Sequence, residues 1–416
     1  MLRLRPWMTF VAGNLTGAAL IASLFLFGPL SGPAELEAGE LVILSGQDDS
    51  PGGQRQQLVN IWNDSHPRNR ARIVTLPEAA DGQYAEMVSR AEDGDTDIFN
   101  LDVAWTARFA APPSGRRLIR PIDSSLLAER PDRAFMPNPL RTCRYDGRLW
   151  ALPFNTDAGL LYYRTDQGLK PPFDWNTIRA AKIPSGFEAA WTGQLNAYEG
   201  LTVNFLEAVW SIGGDLAVSA DGRVTLDLAK WDEAARLLRP GPILADAVNS
   251  EETSSRIAFQ EGKTLFMRNW PVAYRAMRTG DQPGGAKFDF DVTRLPGVSV
   301  LGGQNLAIAE RTRKPRAAQA LIEFLTGERA QRLLFVNGGF AATRAVVYED
   351  ESIKQKYPYL PRLREAIDTA RLRPVSPNYV AFSRVLNEQV HDVLTHRRES
   401  LPPDLADRLT RALQGR

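Results

Sequence analysis

The chain of 416 residues has a single cysteine, Cys143, and only three histidines, which excludes several kinds of chemistry. One cysteine cannot build a disulfide framework, a cysteine-based zinc site or a CxxC redox pair. None of the histidines stands in a metal-ligand motif such as HExxH. A GxSxG elbow, a GxxxxGK[ST] phosphate loop and a GxGxxG turn after a strand are also missing from the sequence. The sequence therefore predicts a protein without a metal or cofactor and without enzymatic activity.

Neither sign of charge dominates, since 50 Lys and Arg residues stand against 49 Asp and Glu residues. There is no basic stripe with interleaved aromatic residues, so a nucleic acid is not an expected partner. The length exceeds that of one ordinary domain. We therefore expect two lobes, each with its own core.

The longest apolar run is at the N-terminus. Arg3 and Arg5 precede the mostly apolar residues 7–30, and a spacer containing Gly and Pro follows. Such a run can cross a bilayer, which takes about 20 apolar residues, and the arginines favour a cytoplasmic N-terminus. We predict that residues 1–40 are a signal sequence or anchor with its spacer, which places the body on the extracytoplasmic face of the membrane. Cleavage after Ala34 or Ala38, with secretion of the body, is the alternative.

Short strand patterns alternate with helical patterns after residue 40, which is typical of an α/β architecture. We predict strands at 41–44, 72–76, 97–101 and 264–267, and helices at 53–65, 84–92, 203–212 and 314–325. Ligands of open α/β sheets bind beyond the carboxyl ends of the strands. Candidate site residues there are Gln47, Asp48, Asp49, Asp102 and Trp105, although the aspartates are equally at home in turns and helix caps.

Residues 149–164 predict a passage between the two lobes. An apolar strand containing Pro153 leads to the polar residues Asn155, Thr156 and Asp157, and a second apolar strand follows. Proline cannot donate to a sheet ladder, so the first strand should stop or leave the sheet there. The polar cluster would then face a cleft.

This stretch resembles the interlobe crossing of family 1 extracellular solute-binding proteins, the maltose-binding-protein-like receptors of ABC importers. Further segments follow in that family's order: residues 97–105, which are similar to its "D-(I/V)-x-x-(L/M)-D-x-x-W" run, then 198–201, 268–271, 302–308, 338–344 and 371–379. The resemblance implies a two-lobed periplasmic-binding-protein fold of type II. Residues 41–153 and 303–339 would form the N-lobe, and residues 154–302 and 340–416 the C-lobe.

The same resemblance implies a receptor that closes on a di- or oligosaccharide of the trehalose or maltose class and is recognised by the permease subunits of an ABC importer. Asp102 and Glu199 would accept sugar hydroxyls, and Trp270 would stack on a sugar ring unless it is a core residue. Arg373 would donate to vicinal hydroxyls or form a surface salt bridge. The full predicted ligand site is Gln47, Asp48, Asp49, Asp102, Trp105, Asn155, Thr156, Asp157, Tyr198, Glu199, Trp270, Gly302, Gly303 and Arg373.

Two other functions remain open at this point. A membrane-anchored sensor or scaffold would use the same lobes to bind a partner protein. A glycoside hydrolase would use two carboxyl groups, such as those of Asp102 and Glu199, as acid and base.

Overall fold

The computed structural model describes residues 35–48, 50, 52–77, 80–278 and 285–416. Residues 38–416 form one compact unit. The predicted membrane segment at residues 7–30, and the predicted site residue Asp49, lie outside the described residues. Among the helices of the described part, none is both long and apolar enough to span a bilayer.

Strands and helices alternate over much of the described chain, and only helices follow the last strand. The strands are β1 Leu41–Ser45, β2 Ala71–Thr75, β3 Ile98–Asp102, β4 Ile119–Arg120, β5 Arg144–Tyr145, β6 Arg148–Leu149, β7 Ala151–Ala158, β8 Leu160–Arg164, β9 Ala189–Thr192, β10 Leu216–Val218, β11 Val224–Leu226, β12 Thr264–Asn269, β13 Phe290–Arg294 and β14 Leu301–Ala309. The α-helices are Gln54–Ser65, Ala80–Asp93, Thr106–Ala110, Pro131–Ala134, Pro137–Thr142, Trp175–Arg179, Glu199–Ser211, Leu228–Leu237, Glu252–Gln260, Val272–Arg278, Pro315–Thr326, Glu328–Leu333, Ala345–Glu349, Glu351–Lys356, Leu360–Thr369, Tyr379–Leu394 and Leu405–Leu413. Short 3₁₀ turns lie at Ser124–Leu126, Thr165–Gln167 and Ala245–Asn249, and a π-helical turn at Leu334–Gly338.

The first sheet has the strand order β2-β1-β3-β14-β4, and β7 also pairs with β14. β1 is parallel to β2 and β3, whereas β14 is antiparallel to β3, β4 and β7. Parallel neighbours need crossover connections, which the helices Gln54–Ser65 and Ala80–Asp93 provide. As a result, β1 and β3 end at the same edge of the sheet.

The second sheet has the order β13-β8-β12-β9, and helices cover both of its faces. β8 shows this directly, because its side chains alternate between two apolar clusters. Leu161 and Tyr163 pack in one cluster with the helices Glu199–Ser211 and Tyr379–Leu394. Leu160 and Tyr162 pack in the other, together with residues of the helix Leu360–Thr369.

The chain passes from the first sheet to the second between β7 and β8, with Gly159 as the single residue between them. A Cβ at this position would lie 2.7 Å from the Arg268 guanidinium and 2.8 Å from the Glu207 carboxylate, so glycine is required. Thr156 also forms a bridge to Ala341, which brings the family-like segment at 338–344 beside this passage.

The prediction that the first strand stops or leaves the sheet at Pro153 was wrong. β7 runs without interruption from Ala151 to Ala158. Pro153 lies opposite Asn305, directly beside a shift of register between Gln304 and Asn305. The missing N–H of the proline falls at this irregularity of the ladder, where strands tolerate it.

The other predicted strands and helices are confirmed to within a few residues at their ends. The largest differences are in the helices predicted at 84–92 and 203–212, which each begin four residues earlier, at Ala80 and Glu199. Gly213, just beyond the end of that helix, has the left-handed conformation (φ 78°) that terminates helices. The lobe boundaries themselves stay a prediction.

Candidate functional site

A cleft with an open volume of about 180 Å³ lies at the ends of β1 and β3 of the first sheet. On its other side begin two helices that lie beside the second sheet, Glu199–Ser211 and Glu252–Gln260. Both sheets therefore contribute walls. Its lining consists of Gly46, Gln47, Arg55, Ala80, Gln83, Asn100, Asp102, Trp105, Asp157, Tyr198, Glu199, Gly200, Val203, Glu251, Glu252, Thr253, Trp270, Val272, Gly302, Gly303, Gln304, Phe340 and Arg373.

Arg373 joins the two walls of the cleft. Its Nη2 donates to Asp102 Oδ1 at the end of β3 (2.8 Å), and its Nη1 donates to Glu199 Oε1 at the start of the helix Glu199–Ser211 (2.6 Å). The side chain is only 4% exposed. We call Asp102, Arg373 and Glu199 the ion triad. The salt bridge that the sequence offered as one interpretation of Arg373 is therefore present, but it is buried and does not lie at the surface, and a contact with vicinal hydroxyls of a ligand stays a prediction.

Attraction between opposite charges stabilises the guanidinium of Arg373 in the ion triad. Burial alone would lower the pKa of Arg373, but attraction to Asp102 and Glu199 outweighs it, so the pKa is raised and the guanidinium stays charged. Burial raises the pKa of Glu199, and Arg373 opposes that shift. Glu199 also accepts hydrogen bonds from the hydroxyls of Tyr379 and Ser383. Its two oxygens thus already bind three donors.

Asp157 is the carboxylate of the cleft with the strongest perturbation. It lies on β7, is 9% exposed, and burial raises its pKa to about 7, although Arg55 and Arg268 oppose the shift. Asn155 Nδ2 donates to Oδ2 at 3.2 Å. Oδ1 has no hydrogen-bond partner among the described residues. A buried acceptor without a donor is costly.

Trp270 follows β12 and is held in one orientation. The Arg268 guanidinium lies 3.7 Å from the centroid of the Trp270 ring, and Arg268 in turn forms a buried two-point ion pair with Glu207 (2.8 and 2.9 Å). The hydroxyl of Tyr162 donates to the Trp270 carbonyl at 2.7 Å. The indole is only partly buried, packs against the apolar cluster of the second sheet and lines the cleft, and its use as a platform for a sugar ring stays a prediction.

The structure brings ten of the fourteen predicted site residues to the cleft. These are Gln47, Asp102, Trp105, Asp157, Tyr198, Glu199, Trp270, Gly302, Gly303 and Arg373. Gly303 has a φ of 113°, and a Cβ there would lie 2.3 Å from the Asn155 carbonyl oxygen. The two glycines therefore allow β14 to lie close against β7.

Three other predicted site residues do not line the cleft. Asp48 caps the start of the following helix, because its carboxylate accepts from the backbone N–H groups of Ser50 and Arg55 at 3.0 and 2.8 Å. Asn155 and Thr156 are buried inside β7. Asn155 Nδ2 donates to Asp157 Oδ2, whereas Thr156 Oγ1 has no hydrogen-bond partner among the described residues.

Sequence reasoning missed a set of polar residues that line the cleft. Arg55 donates from Nη2 to Gln304 Oε1 at 3.1 Å and from Nη1 to the carbonyl oxygens of Gly46 and Gln47. Glu251 and Glu252 come from the start of a helix that no local signal connected with the cleft. Further missed residues are Gln83, Asn100, Thr253 and Phe340. The described residues contain no group of three or more His, Cys, Asp or Glu side chains that could hold a metal ion.

A two-lobed α/β fold with a polar and aromatic cleft between its sheets defines a solute-binding protein. The chain matches the family described as bacterial extracellular solute-binding protein over residues 68–361. A Deinococcus radiodurans protein described as a probable ABC transporter-binding protein is 30% identical over 356 residues, which covers 79% of this chain and 83% of that protein. The chain therefore belongs to the bacterial extracellular solute-binding proteins.

Solved structures of the same fold span nearly the whole chain. The maltose-bound MalE3 of T. maritima has a TM-score of 0.79 and 26% identity and covers 90% of this chain and 99% of its own. A solute-binding protein of Thermotoga lettingae bound to α-D-tagatose has a TM-score of 0.76 and 18% identity, with 91% and 98% covered. The GacH receptor of Streptomyces glaucescens has a TM-score of 0.75 and 22% identity, with 91% and 99% covered. The maltose-binding-protein-like fold is thus confirmed.

Proposed function

We propose that this chain is the extracytoplasmic receptor of an ABC importer and that it binds a small neutral sugar of the maltose or trehalose class between its two sheets. The observation that carries the proposal is the cleft itself, in which the fixed indole of Trp270 faces a set of oriented polar groups. Sugar rings expose an apolar C–H face and a rim of hydroxyls, and both features would find partners here. The description of the Deinococcus relative and the maltose bound to MalE3 support this assignment.

The charge of the cleft supports a neutral ligand. Five carboxylates line it, those of Asp102, Asp157, Glu199, Glu251 and Glu252, against two guanidinium groups, those of Arg55 and Arg373. Because Arg373 is already bound to two carboxylates, it offers little attraction for a further anion. A sugar phosphate or sugar acid would meet excess negative charge, whereas a neutral sugar would donate its hydroxyls to carboxylate oxygens.

Some residues of the cleft would touch the sugar, and others would hold the residues that do. Trp270 and the amide side chains of Gln83, Asn100 and Gln304 would meet the sugar directly. Asp102 holds Arg373 and the Ala104 N–H through Oδ1, and its carboxylate also lines the cleft. Glu199 would act mainly by holding Arg373. A ligand that contacts both walls would favour the closed arrangement, which the permease subunits would then recognise.

A thermal-shift screen of the full chain against mono-, di- and oligosaccharides tests the proposal. A ligand present at 100 times its Kd stabilises a protein by about 2.7 kcal/mol, a shift that such a screen detects. Glucose 6-phosphate and glucuronic acid are matched controls of similar ring size with negative charge, and we expect no shift from either. A screen in which no neutral sugar raises the melting temperature would contradict the proposal.

We also propose that binding occurs without hydrolysis. In the ion triad both candidate catalytic carboxylates share one guanidinium, and Glu199 is surrounded by donors, so neither is poised to give a proton to a leaving group. Long incubation with maltose or trehalose should leave the sugar intact. Release of glucose by the wild type, and its loss in Asp102→Asn or Glu199→Gln, would instead establish a hydrolase.

The location of the protein follows from the apolar residues 7–30, which we propose as an uncleaved anchor. Expressed in a bacterial host, the full chain should fractionate with membranes and incorporate no labelled fatty acid, since its only cysteine, Cys143, is buried in the folded body. Recovery of a soluble form beginning near Glu35 or Gly39 would overturn the anchor.

A further inference from the structure

Two aromatic residues of the cleft donate to the same carboxylate. Glu252 is the first residue of the helix Glu252–Gln260. Its Oε2 accepts from the Tyr198 hydroxyl at 2.7 Å, and its Oε1 accepts from Trp270 Nε1 at 3.2 Å. Tyr198 precedes the helix Glu199–Ser211 and Trp270 follows β12, so the two rings belong to separate elements. The carboxylate ties them together across the wall of the cleft.

Neighbouring polar side chains hold the backbone of Glu252 in place. Its backbone carbonyl accepts from Asn269 Nδ2 at 3.0 Å and from Ser255 Oγ at 3.1 Å, which connects the start of its helix to the end of β12. A negative charge in the first turn of a helix is stabilised by the helix dipole. Hydrogen bonds to a charged acceptor are also stronger than those between neutral groups.

Two glycines give the rings the space they occupy. A Cβ at Gly200 would lie 2.2 Å from the Tyr198 hydroxyl, and a Cβ at Gly302 would lie 3.1 Å from two carbons of the Trp270 ring. Arg268 covers part of the Trp270 ring as well. To these restraints Glu252 adds a hydrogen-bond acceptor that both rings share.

We infer that Glu252 is a positioning residue that fixes Tyr198 and Trp270 and so presents their apolar surfaces to the sugar. Since the hydroxyl and the indole N–H both donate to Glu252, neither proton is available to a ligand. Trp270 can then contact the ligand only through carbon, and Tyr198 keeps only its oxygen lone pairs as an acceptor. Burial and the nearby carboxylate raise the pKa of Tyr198, which keeps the phenol protonated as a donor. The inference rests on the proposed function for its ligand, but the positions of the rings can be tested without one.

Affinity is tested in the full chain by calorimetry with the disaccharide that gives the largest thermal shift. Glu252→Gln keeps the shape but removes the charge and replaces one acceptor oxygen with a donor, so both rings are held by weaker, neutral hydrogen bonds, and we expect an increase in Kd of about tenfold. Glu261→Gln is the matched control, because it removes the same charge at the far end of the same helix, where Glu261 lies 3.4 Å from Lys263 at the surface. We expect its Kd to equal that of the wild type.

The effect of Glu252→Gln on Kd is compared in the wild type and in Tyr198→Phe, and this comparison separates a positioning role of Glu252 from a direct contact with the sugar. In Tyr198→Phe, one of the two bonds to Glu252 is already gone, so adding Glu252→Gln should cost clearly less than in the wild type. An equal loss in both backgrounds would mean that Glu252 binds the sugar itself, and an unchanged Kd for Glu252→Gln would mean that it does neither. Either result would overturn the inference.

A ligand-free measurement keeps this test independent of the proposed function. The chain is labelled with 5-fluorotryptophan, and the fluorine resonance of Trp270 is identified by its loss in Trp270→Phe. Glu252→Ala should shift or broaden that resonance, and Glu261→Gln should leave it in place. A Trp270 resonance that is unchanged in Glu252→Ala would show that the carboxylate does not position the ring. If no sugar binds, the proposed function fails, and this experiment still decides the role of Glu252.

Discussion

Removal of Arg373 should be among the most destabilising single changes in the cleft. Arg373→Met replaces the buried guanidinium with an apolar side chain of similar length and leaves the carboxylates of Asp102 and Glu199 without their counter-charge. Breaking a buried ion pair by removing one partner costs roughly 3–5 kcal/mol. Because Asp102 is still 23% exposed and water can solvate part of its charge, we expect a loss near the lower end, about 3 kcal/mol of unfolding free energy at pH 7.

The pH dependence gives this prediction a second signature. Burial already raises the pKa of Glu199, with Arg373 as the main opposing influence, so the variant should raise that pKa further. A carboxyl group with a raised pKa favours folding below its ordinary value of 4.5, and that contribution is lost as the pH rises through the raised value. The difference in stability between wild type and variant should therefore be widest near pH 7 and should narrow as the pH falls toward 4.5.

Urea unfolding followed by tryptophan fluorescence measures both effects. Arg371→Met is the matched control, since Arg371 lies two residues away and pairs with Asp215 at the surface, where the two side chains are 41% and 67% exposed. An exposed pair contributes about 0–1 kcal/mol, so this control should stay close to the wild type. Equal losses for the two variants, or a loss for Arg373→Met that does not change with pH, would refute the role of the ion triad.

Three further predictions follow from the cleft and its crossing. Trp270→Ala should weaken sugar binding by about 1–3 kcal/mol in calorimetry while folding is largely kept, and a variant that unfolds before it loses affinity would place Trp270 in the core. Gly303→Ala should destabilise far more than Gly115→Ala, because both glycines have positive φ but only the Cβ at Gly303 would collide with a backbone, that of Asn155; equal melting temperatures would contradict this. Asp157→Asn should gain stability relative to the wild type as the pH rises from about 4 to about 7, since the pKa of Asp157 is raised from 3.8 to about 7 and its stabilising contribution is lost over that range; a pH-independent difference in urea unfolding would disprove it.

Local sequence signals were sufficient for the elements and for one edge of the site. β1 and β3 are short apolar runs that end in polar residues, and parallel strands place their carboxyl ends together. Asp102 could therefore be assigned to the ligand edge before any contact was known. The order of the motifs along the chain likewise predicted the two-lobed fold, which the comparisons confirm.

Local signals were insufficient where one residue type serves two purposes. Asp48 follows a strand just as Asp102 does, yet its carboxylate caps the next helix. Both roles use an aspartate in the same kind of turn, and only the direction of the side chain separates them. Pro153 was misjudged because the register shift opposite it, which lies on a strand about 150 residues later in the chain, cannot be read locally.

The sequence by itself thus determined the alternation of strands and helices, the family and the chemical types that line the cleft, because these depend on periodicity and residue type within short segments. Only the tertiary structure decided which side chains meet. Arg373 and Asp102 are 271 residues apart, and Glu252 is 54 residues from Tyr198. Such pairs form only when separate elements pack, and the same packing excludes the water that would otherwise leave the carboxyl groups of Asp157 and Glu199 with ordinary pKa values.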